Sequence, residues 1–149
     1  SGATKGTQIH WMLEQYDHEV LPEGVNEEFS GYLKAYSNFC KFNKPIWDID
    51  GIEQTFYNEE YDFAGTRDRV GSILWEGKRT PCCLDIKSGG KQDWHKIQLA
   101  GYAIDHRYEW QRFGLYVKGN GTYELDHYTN GLDFEIFIQA LLGETHGNI

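Results

Sequence analysis

Two acidic residues and a lysine stand where they can share one small site. The run Leu84-Asp85-Ile86-Lys87-Ser88 alternates apolar and charged residues. Residues i and i+2 of a strand face the same way, so Asp85 and Lys87 project together while Leu84 and Ile86 face a core. The preceding strand carries Gly65-Thr66-Arg67-Asp68-Arg69-Val70, and antiparallel pairing would set Asp68 beside Asp85. Two carboxylates and a lysine suit metal-assisted hydrolysis of a phosphodiester. The cation lowers the pKa of a bound water and neutralises developing charge, and the ammonium orients that water or stabilises the transition state. Oxygen ligands point to Mg²⁺ or Mn²⁺, and an imidazole ligand tilts the choice toward Mn²⁺. Taken alone, Asp-x-Lys on a strand also describes a surface ion pair, so its setting decides its meaning.

The elements that must position these residues follow from periodicity. After Gly6-Thr7, the residues Ile9, Met12, Leu13 and Tyr16 recur at helical spacing, and Pro22-Glu23-Gly24 closes the segment. Asn26 is placed to cap a second helix bearing Phe29, Tyr32, Leu33, Tyr36, Phe39 and Cys40 on one face, ending before Pro45. Ile52 to Tyr57, Asp62 to Leu74 and Cys82 to Lys87 read as three antiparallel strands. Ser88-Gly89-Gly90-Lys91 breaks the meander, and Asp93 caps a helix in which Ile97, Ala100, Gly101, Ile104 and Tyr108 share a face. Two strands, Phe113 to Val117 and Tyr123 to Tyr128, flank the Asn-Gly of Gly119-Asn120-Gly121, and Asp133 starts a last helix through Leu142. The order α-α-β-β-β-α-β-β-α, without repeat or linker, describes one α/β domain over residues 1–149.

In that order stand Gly6-Thr7-Gln8-Ile9-His10, Gly65-x-x-Asp68, Asp85-x-Lys87 and Gln98-x-x-x-Tyr102, on helix, strand, strand and helix. From Gly6 to Tyr102 the chain resembles the PD-(D/E)xK nuclease superfamily. The similarity is greatest to the branch of RecB-type and Cas4-type nucleases, phage recombination exonucleases and the mitochondrial genome maintenance exonuclease. The resemblance implies a restriction-endonuclease-like αβββαβ core, a mixed sheet flanked by helices, with an extra helix and a C-terminal strand and helix added. It implies that His10, Asp68, Asp85 and the backbone carbonyl of Ile86 hold the metal, and that Lys87 is catalytic with the two aspartates. Gln98 and Tyr102 match a Q-x-x-x-Y motif that lies near the DNA, and a spacing of four independently puts them on one helical face. Glu53 is either a further metal-site carboxylate or an exposed strand glutamate. Arg67 and Arg69 are candidates to hold a phosphate by bidentate contact, with Ser88 and Lys91 weaker ones.

Composition bounds the rest. The chain has 149 residues, 14 Lys+Arg against 23 Asp+Glu, and a net charge of −9. Such a balance argues against nucleic acid, whose phosphates draw most affinity from Lys and Arg. The distribution differs: residues 67–96 carry seven basic and four acidic side chains, a net of +3. Local fluctuation of exposed charge is the alternative explanation. Three cysteines, Cys40, Cys82 and Cys83, form neither a C-x-x-C pair nor an even framework, which favours a reducing, cytoplasmic compartment and buried thiols. They cannot supply the four ligands of the iron–sulfur cluster that Cas4-type relatives carry, so none is expected. No apolar run approaches a membrane span. There is no Walker motif, so ATPase action would come from a recombination or helicase partner protein. Ser1-Gly2 reads as a tag scar, and the natural chain could be longer.

Two function classes stand at this point. One is a Mg²⁺- or Mn²⁺-dependent exonuclease on linear single-stranded or duplex DNA ends, in recombination, repair or phage DNA processing, with an endonuclease or flap nuclease as a variant. The other is a nuclease-fold module that binds DNA or a partner without cutting. The histidines show no zinc spacing, and no G-x-S-x-G elbow supports a serine nucleophile.

Overall fold

The computed structural model describes residues 4–20 and 26–147, with side chains through residue 143; Ser1-Gly2 and Pro22-Glu23-Gly24 lie outside the described residues. Helix α1 spans Lys5–Asp17, and a 3-10 turn, Glu27–Phe29, leads into α2, Ser30–Asn43. Three strands follow, β1 Ile46–Asn58, β2 Phe63–Trp75 and β3 Lys78–Lys87, then α3 Trp94–Ala103, β4 Gln111–Val117, β5 Tyr123–Tyr128 and α4 Leu132–Gly147. The expected element order holds throughout.

Thr4 caps α1, its hydroxyl accepting from the Thr7 amide at 3.2 Å. Asn26 caps the 3-10 turn ahead of α2, accepting from the Glu28 amide at 3.0 Å. The expectation for Asp93 fails: it holds the N-cap position of α3 but its side chain makes no cap hydrogen bond, its own backbone being already helical. β1 starts at Ile46, six residues earlier than its apolar pattern indicates, because Asp48, Ile49 and Asp50 are exposed at the sheet edge.

The five strands form one mixed sheet in the order β1-β2-β3-β4-β5. Among the described residues only β3 and β4 run parallel, and α3 is the crossover between them. Side-chain alternation on β3 divides the molecule: Cys82, Leu84 and Ile86 enter the larger core with Ile9, Leu13, Tyr36 and Phe39 of α1 and α2. Cys83 faces the other way, into a small core with Val70, Leu99 and Ala103. The adjacent thiols are buried on opposite faces, and burial pushes the Cys82 pKa up to about 12. Among the described residues, no helix is long and apolar enough to cross a membrane.

Candidate metal centre

Asp85 and Lys87 share the α3 side of β3, as alternation requires. Asp85 is buried, and its Oδ2 lies 3.0 Å from Lys87 Nζ. The ammonium also donates to Gln98 Oε1 at 2.9 Å, and Gln98 Nε2 donates to the Tyr102 hydroxyl at 3.1 Å. One face of α3 thereby fixes the lysine through a two-step relay. Gly65 makes room for its end: a Cβ there would lie 2.9 Å from the rings of Phe56 and Tyr102.

Asp68 owes its position to an interruption of the ladder. The β2–β3 register runs from Trp75–Lys78 to Arg69–Leu84 and stops. Beyond it the Ile86 amide donates not to a strand carbonyl but to Asp68 Oδ2, at 2.7 Å. On the other side, β1 carries a register shift between Trp47 and Ile52, and Glu53 sits mid-strand at φ +53°. A non-glycine residue in the left-handed region is strained, and such strain gathers at functional sites. Two irregular strands thus bring their carboxylates toward α1. His10 of α1 places Nδ1 3.8 Å from Asp68 Oδ2. One ligand atom each from His10, Glu53 and Asp68 lie within 4.8 Å of one another. Glu53 therefore belongs with the cluster rather than with the exposed strand positions.

The electrostatics of this cluster favour a cation. Burial, reinforced by the neighbouring Asp85, holds the Asp68 carboxyl well above the usual carboxylate range. Burial also raises Glu53, against the pull of Arg69. Burial lowers His10, while Asp85 and a hydrogen bond to the Ile86 backbone act in the opposite direction. Buried Asp85 Oδ2 has its ion pair to Lys87 but no hydrogen bond of adequate geometry. Carboxylates plus one imidazole, with Lys87 and Arg69 at their edge, are a donor set that fits Mn²⁺ or Mg²⁺. The cluster borders an open cleft of about 720 Å³ lined by Thr4, Thr7, Trp11, Glu14, Lys87 and Ser88, with His10 and Glu53 at its wall. Ser88 is thus beside the site, as expected. A second cleft of about 550 Å³, near Tyr61, Arg107 and Arg112, involves none of the expected site residues.

Arg67 and Arg69 are not phosphate contacts. Their side chains are only 5% and 1% exposed. Arg67 donates to Tyr102 O, Gln54 Oε1 and Asp105 Oδ1 at 2.7, 2.8 and 2.9 Å, with its guanidinium 4.0 Å from the Phe56 ring centre. Arg69 faces α1 and α2. Its Nε donates to Asp17 Oδ2 at 2.7 Å, its Nη1 donates to the Asp68 carbonyl at 2.7 Å, and Glu53 Oε1 lies 3.5 Å away. Tyr36 donates its hydroxyl to the same Asp17 oxygen. The weaker candidate Lys91 is held by Glu124 and Asp126 at 3.0 and 2.9 Å. Two of the seven basic side chains of the +3 segment, Arg67 and Arg69, are therefore spent inside the fold, while Lys78, Arg79, Lys91 and Lys96 remain exposed. Asp17 and Tyr36, which anchor Arg69 behind the cluster, carried no sequence signal beyond helical periodicity. Set against models of known protein families and against curated proteins, the sequence matches none.

Proposed function

We propose that the chain is an intracellular, metal-dependent deoxyribonuclease that hydrolyses phosphodiester bonds at linear DNA ends. The observation that carries this reading is that His10, Glu53 and Asp68 converge within 4.8 Å beside the cleft lined by Lys87, which is paired to Asp85 and tethered to Gln98. His10, Asp68 and Asp85, with Glu53 and the Ile86 carbonyl, would hold Mg²⁺ or Mn²⁺. When bound, that cation activates water and offsets charge on the phosphate. In hydrolysis the water oxygen bonds to phosphorus, the bond to the leaving sugar oxygen breaks, and that oxygen takes a proton. Lys87 is placed to donate a hydrogen bond to the attacking water or to a phosphoryl oxygen. Gln98 and Tyr102 act through Lys87 by fixing its ammonium. Free thiols suit a reducing compartment. Preference for ends rests on the resemblance to the RecB-like branch, as does a role in recombination, repair or phage DNA processing, in concert with a helicase or recombination partner.

Digestion of end-labelled linear single-stranded, duplex and closed circular DNA with Mn²⁺, Mg²⁺ or EDTA tests the reading, with Lys87→Ala in parallel. The expected result is metal-dependent loss of linear substrates only, absent in the variant. Cut circles would make the protein an endonuclease. Bound but uncut DNA under every condition would leave a non-catalytic binding module.

A further inference from the structure

Two tryptophans stand exposed near Lys87, one in the cleft of the proposed metal centre and the other in a separate cleft beside Gln98. Trp11 on α1 is 52% exposed and lines the cleft that holds His10, Glu53 and Lys87. Trp94, the first residue of α3, is 55% exposed, and its ring centre lies 5.1 Å from Lys87 Nζ. Fully burying a large apolar side chain is worth about 1.5–3 kcal/mol, so neither indole serves the core as placed. Between Lys87 and Trp94 the turn contains Gly89 and Gly90, where even an added Cβ would meet nothing within 4 Å. The route past the lysine is open.

Charge narrows what can follow that route. The protein carries −9 overall, and its cations near the site are largely engaged: Arg67 and Arg69 are buried, and Lys91 is bound by two carboxylates. Glu14 adds a further carboxylate to the cleft. A polyanion therefore gains little here from its phosphates and must gain from its bases. Stacking on an aromatic ring supplies about 1–3 kcal/mol per base. In a duplex the faces of the bases are covered by their neighbours.

Resting on the nuclease reading above, we propose that the site takes single-stranded DNA, with Trp11 and Trp94 stacking unpaired bases on the two sides of the phosphate presented to Lys87. The tryptophans are positioning residues; they act on the bases and leave the reacting phosphate to the cluster. Binding to single strands should show a shallow salt dependence, since few counterions are displaced.

The test is fluorescence anisotropy of a labelled twelve-residue oligothymidylate and of a hairpin duplex of equal length, in EDTA so that nothing is cut. Trp11→Ala and Trp94→Ala should each weaken binding of the single strand about tenfold, as loss of one stacked base predicts. Trp11→Phe and Trp94→Phe should recover most of the loss, and unchanged thermal unfolding would show that the variants fold. Alanine variants that bind like the wild type, or a duplex bound as tightly as the single strand, would overturn the proposal. The two readings fail separately. If binding depends on the tryptophans but no metal elicits cleavage, stacking stands and the nuclease fails. If cleavage occurs and both alanine variants bind and cut as well as the wild type, the nuclease stands and stacking fails.

Discussion

The two faces of the sheet are built to different ends. On the α1 and α2 side, Leu84, Ile86, Phe113, Leu115 and Val117 meet Leu13, Tyr36 and Phe39 in a continuous apolar core. On the α3 side the fully buried apolar cluster is Val70, Cys83, Leu99 and Ala103, and the half-buried rings of Tyr102, Trp110 and Tyr128 around it are interleaved with polar groups. Arg67 is bonded to the Tyr102 carbonyl, Gln54 and Asp105, and Lys87 to Gln98. Burial on one face stabilises the fold, so that the other can hold Asp85, Lys87 and Gln98 in close quarters. β3 serves both at once, since its alternate residues point to opposite layers.

Truncation tests this division most strongly. Phe113→Ala, on the apolar face, removes a ring packed against Trp75 and should cost about 3–5 kcal/mol of unfolding free energy in urea denaturation. Lys87→Ala, on the polar face, leaves buried Asp85 without its ion pair and should cost less, about 1–3 kcal/mol, yet reduce cleavage at least about a hundredfold. Equal stability losses from the two variants would erase the contrast.

Arg69 crosses the divide and sharpens it. It lies on the apolar side, paired with Asp17, while its guanidinium reaches the Asp68 carbonyl and Glu53. Arg69→Ala strands a buried carboxylate and should cost about 3 kcal/mol. It should also weaken Mn²⁺ binding, measured by calorimetry, because Glu53 and the Asp68 backbone lose their anchor. Retained metal affinity would restrict Arg69 to stability alone. Asp68→Asn should have the opposite sign in the metal-free protein. It removes a carboxyl whose ionisation burial disfavours while keeping an acceptor for the Ile86 amide, so thermal unfolding should move up by about 1 kcal/mol in stability. Added Mn²⁺ should raise the melting temperature of the wild type but not of this variant.

These contrasts show what was legible in the sequence. Periodicity carried the element order, since most apolar stripes pack where their spacing points; the exception is Tyr108, expected on the α3 face but 91% exposed beyond the end of that helix. Strand alternation set Asp85 and Lys87 on one face, while Gln98 and Tyr102 were singled out by the resemblance, a helical spacing of four saying only that they share a face, as the relay from Tyr102 through Gln98 to Lys87 shows. Glu53 was half legible: its position on the first strand was visible, but the bulge and left-handed backbone that turn it toward Asp68 depend on tertiary pairing. Arg67 and Arg69 were misread for a plainer reason. A guanidinium has the same letter whether it meets a phosphate or a buried aspartate, and the partners Asp17 and Asp105 are 52 and 38 residues away. Exposed Trp11 and Trp94 share that ambiguity, since an aromatic residue at helical spacing ordinarily signals core.

The smallest expected effect concerns His95, which sits on the polar face behind Trp94. Its Nδ1 lies 2.9 Å from the Tyr116 hydroxyl and accepts the Gln92 amide at 3.4 Å, so the ring is held neutral. Burial lowers its pKa below 6.5, with the Lys87 charge acting in the same direction. In the unfolded chain the ring protonates at its ordinary value, so between the two values the unfolded state binds more protons. The contribution is present above about pH 6.5 and is lost as pH falls through the lower folded value. His95→Asn keeps an acceptor for Tyr116 but cannot titrate. Its melting temperature should therefore fall less than that of the wild type between pH 7.5 and 5. Parallel pH profiles would show that His95 does not couple the polar face to acid, and would leave His10 and His127, also lowered by burial, to account for the wild-type slope.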